Sequence, residues 1–133
     1  MSLKKSENWQ WKNWDISWSI SKNPNSEKNI NILLVHGFGA SKKHWRHNQD
    51  FLSKIFNCYA IDLLGFGESS QPSALLNYEP YKENSTRYSF DLWSDQISTF
   101  CLEVIKSPVY LVGNSIGGVI ALKAAEILQD NCK

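Results

Sequence analysis

The sequence has little cysteine, and Cys58, Cys101 and Cys132 are odd in number, far apart and outside any CxxC pair. That excludes a disulfide framework and fits reduced thiols in a cytosol-like compartment. Charge of one sign is also lacking. Fourteen basic residues against 13 acidic ones leave a formal charge of +1, so there is no basic field with which to hold nucleic acid. No apolar run approaches the length of a membrane span. The opening MSLKKSENWQ carries charge without the apolar stretch of a secretory signal. There is no HExxH pair and no clustered ligand set. His44, His47 and Asp50 share helical spacing but read as a solvated helix face, so no metal and no cofactor are expected. Internal repeats are absent as well. What is left is an ordinary globular balance, 42% apolar and 20% charged over 133 residues. The expectation is one cytoplasmic domain covering 1–133.

Periodicity supplies the elements. Trp14, Ile16, Trp18 and Ile20 alternate with Asp15, Ser17 and Ser19, as in a half-buried strand. Trp9 and Trp11 belong to a preceding strand, with Lys12-Asn13 near the turn. The tryptophans read as an antiparallel edge ribbon packing its rings on the core rather than as a sugar platform. Asn23-Pro24-Asn25-Ser26 is a turn-rich linker. Ile32 to Val35 form a wholly apolar run, the signature of a strand covered on both faces. Ser41 caps a helix reaching about Lys54, with Trp45, Leu52 and Ile55 inward. Cys58 to Leu63 make a further strand containing Asp62, and residues 70–87 are polar, aperiodic surface loop. Phe90, Trp93, Ile97, Phe100, Cys101, Val104 and Ile105 fall on one face of a 3.6-residue period, capped by Ser89 and ended by Pro108. Val109 to Val112 is the next strand. The last helix starts near Ser115, is apolar on more than one side, and is expected to sit deep. Strands alternating with helices predict a three-layer α/β fold around a mostly parallel sheet, with the tryptophan ribbon antiparallel at its edge.

Chemistry enters at PVYLVGNSIGG, residues 108–118. Gly113-Asn114-Ser115-Ile116-Gly117 is a G-x-S-x-G sequence set between a strand and a helix. A serine hydroxyl attacks only when a base removes its proton. A sharp strand-to-helix turn would display Ser115, and Gly113 and Gly117 leave no side chain to clash where strand and helix come close. The helix N-terminus then aims free N–H groups, that of Ile116 among them, at a developing oxyanion. A second donor is expected from His36-Gly37-Phe38-Gly39, through the backbone N–H of Phe38. The same glycines, followed by Asp62 at the end of the next strand, also suggest the opening of a dinucleotide-binding fingerprint. Lys42 occupies the place of its third glycine, which counts against that reading.

HGFGAS, DLLGFGES and GNSIGG occur in an order and spacing that resemble the N-terminal half of the α/β-hydrolase superfamily, from about Trp11 to Leu128. Within it, SFDLWSDQISTFCLEVIKSPVYLVGNSIGG is similar to the pheophytinase-like group of plants and cyanobacteria, which removes the phytyl ester from magnesium-free chlorophyll. The resemblance implies Ser115 as nucleophile, Phe38 and Ile116 N–H groups as oxyanion hole, and small-molecule esters as substrates of intact relatives. It also implies an acid and then a histidine after the serine. No histidine follows Ser115, and Glu126 lies about 16 Å along the same helix. His36 fits a structural hydrogen-bonding role better than that of a substitute base. The expectation is therefore a partial domain, lacking C-terminal strands, cap, acid and histidine, and nearly inactive alone. A hydrolase-like binding module without catalysis is the second reading. The strand at 109–112 would then be an open edge, inviting self-association or a separately encoded C-terminal half.

Overall fold

Tryptophan-rich strands open the chain. In the computed structural model, which describes residues 3–22, 24 and 29–133, β1 (Leu3–Trp11) and β2 (Trp14–Lys22) pair antiparallel, Trp11 opposite Trp14. Lys12 turns the hairpin in the left-handed region, at φ 56°. The linker expected at Asn23, Asn25 and Ser26 lies outside the described residues. The rings pack on the core as expected: Trp9 and Trp18 each meet Phe100 edge-on at 5.4 Å, and Trp11 is buried. β2 departs from the half-buried pattern, because Ser17, Ser19 and Ser21 on its polar side are buried too. Their small side chains let a second layer close over them. Ser19 and Gln49 exchange hydrogen bonds at 3.2 and 3.1 Å, and the Ser17 N–H donates to Ser69 Oγ at 3.0 Å.

The centre of the sheet is β3 (Asn31–Val35), buried at every residue. A 3-10 turn, Lys42–Trp45, is capped by Ser41 and leads into α1 (Arg46–Leu52). This helix stops short of Lys54, and Ile55 lies exposed beyond it instead of facing inward. β4 (Asn57–Ile61) follows, with Asp62 just past its end. Within the expected loop at 70–87, β5 (Ser73–Ala74) and β6 (Ser85–Thr86) form a two-residue parallel ribbon. α2 (Phe90–Phe100) starts at Ser89, whose Oγ accepts from the Leu92 N–H at 3.0 Å. Such a cap contributes about 1 kcal/mol. A π-turn, Cys101–Ile105, continues it, and Lys106 at φ 59° ends it before Pro108 is reached. β7 (Val109–Gly113) and α3 (Ile116–Leu128) complete the order.

The large sheet runs β1-β2-β4-β3-β7, parallel among β4, β3 and β7 and antiparallel at β1 and β2. Alternation along β3 explains the layers. Ile32 and Leu34 pack with Trp45, Cys58 and Ala60 on one face. Leu33 and Val35 join Ile97, Phe100, Ile120 and Ala124 from α2 and α3 on the other. This is the expected three-layer α/β arrangement. Burial pushes the Cys58 and Cys101 thiols up to about 12, which keeps both protonated and inert.

α3 is less deep than its composition suggests. Ile120, Ala121, Ala124 and Leu128 are buried, whereas Val119, Leu122 and Ile127 are exposed. Among the described residues, α2, β3 and β7 pack against it. β7 is the edge strand beside it, with Tyr110 and Val112 exposed. Cys132 bridges Val109 in parallel, and the Lys133 N–H donates to the Val109 carbonyl at 3.0 Å. Among the described residues, no helix is long and apolar enough to cross a membrane.

Candidate functional site

β3 and β7 end level. Val35 stands opposite Gly113, and the Asn114 N–H extends the pairing to the Val35 carbonyl at 3.2 Å. The chain then reverses in one residue: Ser115 sits at φ 58°, ψ −127°, and α3 begins at Ile116. A non-glycine residue in such a region costs on the order of 1–3 kcal/mol, so the surroundings must impose it. Two glycines do so by close approach. A Cβ at Gly117 would lie 2.3 Å from the Val35 carbonyl oxygen, and one at Gly113 would lie 2.1 Å from that of Gly117. Hydrogen bonds from the Gly117 and Gly118 N–H groups to the Asn114 and Ser115 carbonyls, both 2.9 Å, close the turn.

Ser115 is exposed at the top of this turn. The loop after β3 lies directly against it, since a Cβ on Gly37 would come 3.0 Å from Ser115 Cβ and 3.6 Å from its Oγ. Phe38 follows, three-quarters exposed, and Gly39 bends the chain onward at φ 71°. The first turn of α3 carries no acidic residue, so the positive end of its dipole is not neutralised from within the helix. A hydroxyl, a helix N-terminus and a glycine-rich loop thus meet at one point. That arrangement suits chemistry in which negative charge develops on an oxygen bonded next to the serine.

The histidines are accounted for. His36 is fully buried; its Nδ1–H donates to the Gly37 carbonyl at 2.8 Å, and its Nε2 accepts from the Leu63 N–H at 3.0 Å. Burial lowers its pKa, outweighing the Gly37 carbonyl and the Asp62 charge, which favour the proton. Both ring nitrogens are occupied, so His36 ties the β3 loop to the β4 loop and has no nitrogen left for Ser115. His44 and His47 are exposed on the 3-10 turn and α1. Asp50 pairs with Lys4 at 3.5 Å, and among the described residues no three metal-ligating groups gather. Glu126 is exposed along α3.

Asp62 does not face a ribose pocket. Its side chain is fully buried, accepting from the Lys42 N–H at 2.6 Å, the Lys42 ammonium at 3.0 Å and the Glu68 N–H at 2.9 Å. Lys42, standing where a dinucleotide fingerprint needs glycine, is its counter-ion, so that reading is corrected. Burial alone would lower the Lys42 pKa, but the Glu68 and Asp62 bonds outweigh it and raise the value. Gln96 was hidden from the sequence pattern. It is buried on α2, accepts from the Leu64 N–H at 2.9 Å and donates to the Asp62 carbonyl at 3.1 Å. Its one signal was a polar residue beside Ile97 on an otherwise apolar face. A cleft of about 700 Å³ beside Lys12, Trp14 and Arg87 is lined by none of the residues of this turn.

Residues 30–133 match the alpha/beta hydrolase fold family. The chain belongs to that family. It is 33% identical over 110 residues to a chloroplastic pheophytinase of Arabidopsis thaliana, covering 68% of this chain and 23% of that protein. To a human (lyso)-N-acylphosphatidylethanolamine lipase it is 31% identical over 116 residues, covering 87% of this chain and 32% of the lipase. The crystal structure of a bacterial membrane phospholipase A superposes with a TM-score of 0.74 at 30% identity, over 92% of this chain and 35% of that one. The chain therefore spans about a quarter to a third of the relatives it matches.

Two outcomes test this packing. Lys42→Met leaves the Asp62 carboxylate buried without its counter-ion and should cost about 3–5 kcal/mol in urea unfolding. Adding Asp62→Asn should recover a large part of the loss, and a single variant within 1 kcal/mol of the parent would contradict the assignment. His36 has a lowered folded-state pKa, so below its ordinary value of 6.5 the unfolded chain gains the proton first. Stability should fall as pH drops through that value, levelling off once His36 protonates in the folded state. Urea midpoints at about pH 7.5 and 5.5 read this, with His36→Gln expected to flatten the difference. An unchanged parent midpoint would contradict it.

Proposed function

We propose that Ser115 is the nucleophile of an ester-cleaving serine hydrolase site, with the backbone N–H groups of Phe38 and Ile116 as its oxyanion donors. The supporting observation is the exposed, positive-φ serine packed against Gly37. In this reading the Ser115 hydroxyl adds to the ester carbonyl, and the two N–H groups take up the charge on its oxygen. The alcohol then leaves an acyl-enzyme, which water hydrolyses. The relatives named as lipase, phospholipase and pheophytinase support an ester of a lipid-like molecule as substrate. Both ring nitrogens of His36 are bonded, and His44 and His47 stand exposed on the 3-10 turn and α1, so in this reading none of the three is the base and these 133 residues alone turn over esters very slowly. The free thiols fit a reducing compartment such as the cytosol.

Without its base, such a serine keeps on the order of 10³-fold advantage over water from binding and oxyanion donors. A fluorophosphonate probe should therefore modify Ser115 well before any other serine, as mapped by peptide mass spectrometry, and Ser115→Ala should abolish that adduct. Modification scattered over exposed serines, or none at residue 115, would favour a non-catalytic module instead.

The exposed β7 edge and the apolar outer side of α3 have a consequence of their own. In isolation this surface pairs with a second copy, because an unpaired apolar edge strand templates another chain. Size-exclusion chromatography with light scattering should give a dimer or larger species, and Val112→Lys should shift it toward monomer. A folded monomer at all concentrations would contradict self-association.

A further inference from the structure

A second feature lies one residue from the Gly37–Ser115 contact. Phe38, three-quarters exposed, forms one wall of a groove of about 390 Å³ bounded by Phe66, Tyr88 and Trp93 and floored at Gly65, with Pro72 and Ala74 at its far side. That volume falls in the range of small-molecule sites, roughly 300–1,000 Å³. The aromatic walls brace one another: Phe38 meets Phe66 edge-on at 5.5 Å, Phe66 leans on Trp93 at 6.0 Å, and Trp93 on Tyr88 at 5.7 Å. Gly65 is required here, since a Cβ would strike the Tyr88 ring at 2.7 Å.

Three polar groups of these walls bond to the protein. The Trp93 indole N–H donates to the Leu64 carbonyl at 2.9 Å, the Tyr88 hydroxyl to the Pro72 carbonyl at 2.6 Å, and the Gln71 amide to the Gly67 carbonyl at 3.1 Å. Among the described residues, no charged side chain lines the groove. It therefore offers mainly carbon surface, the exposed Gln71 amide apart. The exposed Phe38 ring meets Phe66 edge-on, and the residue before it, Gly37, is the one packed against Ser115.

We infer that this groove holds an unbranched or lightly branched aliphatic chain of the ester whose carbonyl reaches Ser115, and that it sets the preference for lipid-like over short-chain esters. This rests on the reading of Ser115 as nucleophile for its catalytic meaning, but binding of the hydrocarbon does not need the serine. The chain is driven in by removal of apolar surface from water, and each buried methylene favours binding up to about fourfold.

Two measurements keep the two readings apart. The first uses Ser115→Ala protein and 1-decanol, followed by calorimetry. Saturable binding is expected, lost in Ala74→Trp, which fills the groove from an exposed position and leaves the core untouched. Absence of binding, or equal binding to Ala74→Trp, would overturn the inference. The second compares fluorophosphonates whose chain grows either on the phosphorus–carbon bond, mimicking the acyl side, or on the alkoxy oxygen, mimicking the alcohol side. Ser115 modification should accelerate with chain length in one series, and Ala74→Trp should abolish that dependence on chain length. Rates independent of length in both series would overturn the inference. Blocked decanol binding with no modification of Ser115 by any probe would sink the nucleophile reading and leave the groove standing.

Discussion

The parallel pairing of β3 with β7 is the constraint from which the site follows. Because Val35 and Gly113 stand opposite one another, both strands release their chains at the same height. The next residues of each must then pass within van der Waals contact. Only glycine fits at 113 and 117, where a side-chain carbon would overlap backbone oxygen. Ser115 is forced into the left-handed region by the same crowding and is pushed outward as a result. A register shift of one residue in β7 would turn its side chains to the other face and carry the serine away from the Phe38 loop.

Beneath those loops lies a buried polar layer. His36 joins the ends of β3 and β4 through the Leu63 N–H, Gln96 fastens Leu64 and Asp62 from α2, and Lys42 neutralises Asp62. Charges and amides at this depth contribute little net stability compared with a well-packed apolar core. Their effect is positional: each bond has one geometry, so the loops that flank Ser115 have one height above the sheet. The aromatic groove stands on the same layer, since Leu64 and Gly65 follow directly from Asp62 and Leu63. Site and groove are thus held by one set of contacts.

Much of this was legible in the residues. The alternating tryptophans gave the ribbon, the all-apolar run gave the central strand, and Gly113-Asn114-Ser115-Ile116-Gly117 marked the turn between strand and helix. Other features were not legible. Ser17, Ser19 and Ser21 look solvent-facing in a two-residue period, yet all three are buried, Ser19 with its hydroxyl bonded to Gln49. Ile55 and the outer residues of α3 look like core by type, but no neighbouring element covers them. Asp62 reads as a ligand-binding carboxylate until its partner is seen, because an ion pair between residues 42 and 62 has no periodicity to announce it. The groove was invisible for the same reason, being assembled from the loops at 38, 65–74 and 88 together with α2.

The proposed convergence of Ser115 with the Phe38 and Ile116 N–H groups is tested most directly by a crystal structure of the protein carrying a phosphonate adduct. The phosphoryl oxygen should lie within hydrogen-bonding distance, about 2.7–3.1 Å, of both the Phe38 and the Ile116 nitrogens. An adduct at Ser115 whose oxygen points to solvent, or whose formation moves residues 37–39 away from the turn, would contradict it.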